Sequence, residues 1–143
     1  MKNYKVKLTI ETTITADGYK EHDKRIIDAR RIDTENNFRL KYIEKLSDDD
    51  SATNTMLVVD KNNETIRLKR KGSVETEMLF LKDQTTNTIY HAFLGTLRLK
   101  IHTKSLAISA NEKELTITLK YTLSDEHSVL SDNLMKISAI TSG

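Results

Sequence analysis

The sequence predicts an all-β fold, a single antiparallel meander β-barrel of about eight to ten strands. The main observation is an alternation of apolar and polar residues that recurs from about Tyr4 to Ile140. Its clearest run places five apolar residues on one parity: Tyr4, Val6, Leu8, Ile10 and Ile14. Because successive side chains of a strand point to opposite faces, each run has one face for a core and one for water. Short polar segments separate the runs, as hairpin turns do.

The predicted strands follow one another along the whole chain. They cover residues 4–15, 22–31, 38–44, 56–59, 66–71, 74–81, 88–93, 96–109, 115–123 and 134–140. The second strand is the least regular because Ile26 and Ile27 are adjacent, and residues 124–132 are expected to form a polar loop with room for one helical turn. A long meander either closes or leaves exposed edges, so a closed barrel is the first expectation and a two-sheet sandwich the alternative.

Length and composition indicate one domain over residues 1–143. Hydrophobic residues make up 37% and charged residues 31% of the chain, and no apolar run approaches the roughly 18 residues of a membrane-spanning helix. The N-terminus begins with a charged strand rather than an apolar signal segment. We therefore expect a cytoplasmic protein with no membrane association. The absence of cysteine excludes disulfides, thiolate metal sites and cysteine nucleophiles.

No motif indicates catalysis, a metal or a cofactor, so we expect a protein that is not an enzyme. Asp48-Asp49-Asp50 lacks the alternating ligand spacing and the glycine of a calcium loop. The four histidines are scattered, without the paired spacing of metal ligands. Ser124-Asp125-Glu126-His127 contains the residue types of a catalytic triad, but neighbours in sequence rarely converge in space.

The charge balance does not favour nucleic acid as a partner. The 23 basic residues nearly match the 21 acidic ones, for a net charge of +2, whereas nucleic-acid modules usually carry a larger basic excess. A set of basic residues is nevertheless expected on the outer face: Lys5, Lys7, Arg67, Lys69, Lys71, Arg98 and Lys100. Most of the eight aromatic residues fall on the apolar parity, which leaves no exposed platform for base stacking.

Two charged residues fall on the apolar parity and predict a site. Glu44 continues the phase of Phe38, Leu40 and Tyr42, and Arg70 continues that of Ile66 and Leu68. The third and fifth strands of a meander run in the same direction, so both charges reach one end of the barrel. The predicted ligand-binding cluster at that mouth comprises Arg70, Glu44, Tyr42, Tyr121 and Thr76. Arg70 would bind a carboxylate or phosphate, while the alternative is a structural ion pair between Glu44 and Arg70.

The order of these features resembles the YwiB-like family of uncharacterised bacterial proteins. The resemblance rests on several short segments: Leu40-x-Tyr42-x-Glu44, Arg70-x-Gly72, Met78-x-Phe80, Tyr90, Gly95-x-Leu97-x-Leu99, Thr103-Lys104-Ser105 and Leu119-x-Tyr121. It implies a lipocalin-like (calycin) barrel with no established activity or ligand. The chain departs from the family at Asp28-Ala29-Arg30 and near Lys82, and it lacks the Gly-x-Trp signature of true lipocalins.

Two functional interpretations follow. The first is a non-enzymatic barrel that binds a small amphipathic, apolar or anionic molecule in its interior, anchored by Arg70 and Glu44. The alternative is a protein- or RNA-interaction module that uses the basic outer face around a fully packed core, since a barrel of about eight strands can be filled by its own side chains.

Overall fold

The structure, a computed structural model, describes residues 1–45, 52–61, 64–92 and 95–142. The described residues form ten strands and no helix. The strands are β1 Lys2–Ala16, β2 Tyr19–Asp33, β3 Asn37–Lys45, β4 Ala52–Asp60, β5 Thr65–Gly72, β6 Glu75–Leu81, β7 Thr85–Ala92, β8 Gly95–Ala110, β9 Glu114–Ser124 and β10 Val129–Thr141. No helix long and apolar enough to cross a membrane therefore occurs in this part of the chain.

The ten strands form one closed antiparallel barrel. Each strand pairs with its neighbours in sequence, and β1 also pairs with β10, which closes the sheet. This confirms the predicted all-β meander barrel and excludes the two-sheet sandwich. Closure satisfies the outer edges that an open sheet of this length would expose.

The alternating residues produce the core as predicted. Leu8, Leu40, Val59, Ile101 and Leu115 point inward and have no exposed surface. Burying a side chain of this size contributes about 1.5–3 kcal/mol, so the continuous apolar interior is the main source of stability. The ring of Tyr121 packs edge-on against Phe80, with 4.9 Å between the ring centroids.

Several strand bounds differ from the prediction. β4 begins at Ala52, β7 at Thr85 and β10 at Val129, each earlier than expected. The polar loop before β10 shrinks to residues 125–128, and it contains no helical turn. One carboxylate oxygen of Asp125 instead accepts the backbone N–H groups of His127 and Ser128, both at 2.8 Å, which makes a tighter connection.

The alternation predicts the inward-facing residues of β8 wrongly at two places. The β8–β9 register shifts between Thr103 and Ser105, so the inward residues change from odd to even numbers and Leu106 is buried. Leu97, expected to face inward with Leu99 and Ile101, is 57% exposed because it lies near the beginning of β8, outside the packed interior.

The barrel wall is weakly paired at two seams. Between β2 and β3 only residues 30–33 pair with residues 38–41. Between β6 and β7 only two residue pairs form, Glu75 with His91 and Thr76 with Tyr90. At that second seam, the hydroxyls of Thr86 and Thr88 donate to the backbone carbonyls of Leu79 and Glu77 at 2.6 and 2.7 Å. Side chains thus replace part of the backbone ladder.

The end of the barrel opposite Glu44 is closed by Arg31, whose side chain is 2% exposed. Its guanidinium donates two hydrogen bonds to Asp33, at 2.8 and 3.0 Å, and one to the carbonyl of Asn111 at 2.7 Å. The same group lies over the rings of Tyr4 and Phe38. Arg31 was not singled out from the sequence, and its partners show that it is a structural ion pair.

Gly72 provides a test of the close packing where β5 ends. Its φ is +148°, and a Cβ there would lie 2.5 Å from the carbonyl oxygen of Ala52. We expect Gly72→Ala to lower the free energy of unfolding by about 2–4 kcal/mol, since a strained backbone and a backbone clash combine. Urea denaturation measures the loss.

The matched control is Gly18→Ala, at a positive φ of 79° with no atom within 4 Å of the added Cβ. This substitution introduces backbone strain without a clash and should lower the free energy of unfolding by about 1 kcal/mol. Equal losses in the two variants would contradict the close approach of Gly72 to β4.

Candidate functional site

The candidate site is centred on Glu44, whose carboxylate has no exposed surface. It lies near the end of β3 and faces inward because it shares the parity of Leu40 and Tyr42. Arg70 Nε donates to Oε1 at 3.2 Å, and the hydroxyl of Thr55 donates to the same oxygen. Arg25 Nη1 donates to Oε2 at 2.9 Å. Three donors on three strands therefore hold one carboxylate.

The two arginines keep Glu44 ionised. Burial by itself would raise the pKa of the carboxyl, but the charge of Arg70 and the hydrogen bonds from Thr55 and Arg25 outweigh it. The pKa of Glu44 therefore lies below its usual range. Arg25 Nε also lies 3.3 Å from a carboxylate oxygen of Asp23, so two guanidinium groups face two carboxylates and the charges of the cluster balance.

Sequence reasoning missed Arg25. Its side chain is 28% exposed and spans the seam from β2 to Glu44 on β3, beyond the last backbone pair of Arg30 with Lys41. Because Ile26 and Ile27 are adjacent, the sequence did not show which residues of β2 face inward. The buried Ala29 would have resolved it, because counting back in twos from Ala29 places both Ile27 and Arg25 inward.

The structure brings the five predicted site residues to one end of the barrel. Four inward positions lie in one register row across β3 to β6: Tyr42, Thr55, Arg70 and Thr76. Tyr121 is close enough for Arg70 to affect its pKa, and burial raises the pKa of both Tyr42 and Tyr121. Thr76 donates to the carbonyl of Ile89 at 3.0 Å. Glu44 and Arg70 form the ion pair that was the structural alternative, and a ligand-binding role for these residues stays a prediction.

A groove lies at the first seam and is called the β2–β3 groove. Its volume is about 1110 Å³. Apolar lining comes from Val6, Ile27, Ala29, Tyr42, Ile43 and Met56. Cationic lining comes from Lys5, Arg30, Lys41, Lys69 and Lys71. Asp28, the acidic residue in the lining, is bound by Lys7 at 2.6 Å.

A second groove of about 750 Å³ lies at the other seam and is called the β6–β7 groove. Arg70 and Thr76 line it, whereas Tyr42 lines the β2–β3 groove. The predicted cluster thus faces two separate openings in the wall. Central core residues such as Leu8 and Ile117 line neither groove.

The remaining sequence candidates gain no support as sites. One carboxylate oxygen of Asp125 already accepts two hydrogen bonds from the backbone of its own turn. Among the described residues, no three His, Asp or Glu side chains are grouped so as to hold a metal. Asp48-Asp49-Asp50 lies outside the described residues.

Replacing Glu44 tests the buried charge cluster. Glu44→Gln leaves Arg25 and Arg70 facing a neutral amide, and we expect a loss of about 3 kcal/mol in unfolding free energy at pH 7. Because the folded-state pKa of Glu44 is lowered, its contribution is complete above the ordinary value of 4.5 and declines as the pH falls below it. The loss caused by the substitution should therefore shrink in acid, as measured by denaturation between pH 7 and pH 3.

The control is Glu112→Gln, which removes an exposed carboxylate paired with Lys2. It should change stability by less than about 1 kcal/mol. A cost for Glu44→Gln no larger than that of the control, or one that does not vary with pH, would contradict the assigned role.

Comparison with known proteins places this geometry in a family. The crystal structure of the ywiB protein from Bacillus subtilis matches with a TM-score of 0.86, over 99% of this chain and 94% of that chain, at 21% sequence identity. That likeness shows the fold and confirms the resemblance to YwiB-like proteins. No curated protein matches the chain. Residues 8–137 match the family described as "Domain of unknown function (DUF1934)", and the chain belongs to that family.

Proposed function

We propose that the protein is a non-enzymatic binding barrel that takes a small amphipathic anion into the β2–β3 groove. The observation that carries the proposal is the lining of this groove, an apolar floor beside five cations. Ligand sites typically combine mainly apolar walls with a few polar groups that fix orientation, in volumes of about 300–1,000 Å³. The groove, at about 1110 Å³, is at the upper end of that scale.

The charge of the lining favours an anion. Five basic side chains line the groove, and no ion pair joins any of them to another described residue: Lys5, Arg30, Lys41, Lys69 and Lys71. The carboxylate of Asp28 is already neutralised by Lys7. An anionic head group would therefore find unpaired cations, whereas a cationic one would be repelled.

The floor favours an apolar tail. Ile43 is 59% exposed there, and Ile27 and Met56 are partly buried. Tyr42, from the predicted site, is also part of the lining. An apolar group that packs on this floor would bury these side chains. Burial contributes a binding free energy of about 25 cal/mol per Å² of apolar surface.

Binding of 8-anilinonaphthalene-1-sulfonate, an amphipathic anion, tests the proposal. We expect saturable binding with enhanced fluorescence, displaced by dodecanoate but not by dodecyltrimethylammonium, which has the same tail and the opposite charge. Lys5→Gln with Lys41→Gln should weaken binding about three- to tenfold, and Ile43→Ser should weaken it as well. An unchanged near-UV circular dichroism spectrum excludes binding to a loosened fold.

The matched control is Lys100→Gln with Lys136→Gln, two exposed lysines outside the groove. It makes the same change in net charge and should leave affinity unchanged. Equal weakening in both double variants, or displacement by the cationic detergent, would contradict the proposed site.

RNA binding is the second candidate, favoured by the same unpaired cations on the outer face. Lys69 and Lys71 line both grooves, so they form a ridge that a phosphate backbone could follow. Binding to a single-stranded oligonucleotide whose affinity falls steeply with salt, and is competed poorly by dodecanoate, would favour this candidate over the amphipathic anion.

A further inference from the structure

We propose that the β6–β7 groove is a separate binding site for a compact oxyanion, a phosphate or a carboxylate, held by the terminal nitrogens of Arg70. The oxyanion is either free or the end group of a larger metabolite. This site lies at a different seam from the β2–β3 groove, with which it shares Lys69 and Lys71, and it does not depend on the function proposed for that groove. The argument rests on the donors of Arg70 and on the charges around them.

Arg70 has donors that Glu44 does not use. Its Nε donates to Glu44, and no described residue accepts a hydrogen bond from either terminal nitrogen. The side chain is 16% exposed and lines the groove. A guanidinium fixed at Nε presents its two terminal nitrogens in a rigid plane, the geometry that binds two oxygens of a phosphate or carboxylate.

Glu44 positions this guanidinium through the hydrogen bond that it accepts from Nε. Its other oxygen is held by Arg25, which also pairs with Asp23 at 3.3 Å. Arg70 is therefore ordered before a ligand arrives, which reduces the entropy cost of binding.

The surroundings add positive charge. Four cations line the groove, Arg67, Lys69, Arg70 and Lys71, against two carboxylates, Glu75 and Glu77. Arg67 lies 3.3 Å from Glu77 and partly neutralises it. Arg70 pairs with Thr76 at the end of β6 that also pairs with β7, and its partly exposed side chain is part of the groove lining.

The polar lining distinguishes this site from the β2–β3 groove. Its apolar members are Leu79 and Ile89, and hydroxyl, amide and imidazole groups supply much of the rest: Thr76, Thr88, Asn87 and His91. Such walls suit a small, strongly hydrated anion better than an apolar tail. The volume of about 750 Å³ leaves room for a metabolite attached to the oxyanion.

Titration with inorganic phosphate, followed by amide NMR shifts at low and constant ionic strength, tests the site. We expect saturable shifts at Asn87, Ile89 and His91. Arg70→Lys keeps a positive charge beside Glu44 but loses the planar fork, and it should weaken binding at least about fivefold. Glu77→Gln removes a negative charge from the lining and should tighten binding about two- to threefold.

Lys136→Gln, on the outer face of β10, is the control and should change nothing. Tighter binding of phenyl phosphate than of phosphate would indicate a metabolite end group, and equal binding would indicate the free ion. Acetate in place of phosphate tests for a carboxylate. Two results would overturn the proposal, whatever the amphipathic probe shows. One is NMR shifts spread evenly over the basic surface, and the other is an equal phosphate affinity of the Arg70→Lys and Glu77→Gln variants.

Discussion

The structure at one end of the barrel depends on a single buried carboxylate. Glu44 has no exposed surface, and an unpaired charge in such a place would cost several kcal/mol. It is tolerated because Arg25, Thr55 and Arg70 donate to it from β2, β4 and β5. The same constraint fixes where two guanidinium groups lie, and the Arg25 bond joins β2 to β3 where their backbones no longer pair.

The two seams explain why this barrel has grooves in its wall. A fully laddered sheet would leave no room between strands, but β2–β3 and β6–β7 pair over only a few residues. Tyr42 lines the groove at the β2–β3 seam, and Arg70 lines the groove at the β6–β7 seam. Buried apolar residues such as Leu8 and Ile117, at the centre of the core, line neither of these grooves.

Arg31 shows how similar residues serve a different purpose at the other end. Its guanidinium is saturated by Asp33 and Asn111 and enclosed by Tyr4 and Phe38. Arg70 keeps terminal nitrogens without a described acceptor and lines an opening. Both are inward-facing arginines on strands, and the difference lies in how many of their donors are used. That difference is the reason a binding role is proposed for Arg70 and not for Arg31.

The sequence by itself determined the fold class, the order of the strands and the inward direction of Glu44 and Arg70. These follow from a period of two, which is a local property of each strand. Tertiary structure decided the rest. Pairing across the barrel set the two seams, the β8 bulge that buries Leu106, and the contact of Arg25 with Glu44, because each depends on register between strands distant in sequence. The alternation predicts which face of the sheet a residue occupies, but only the closure of the barrel determines which residues it contacts there.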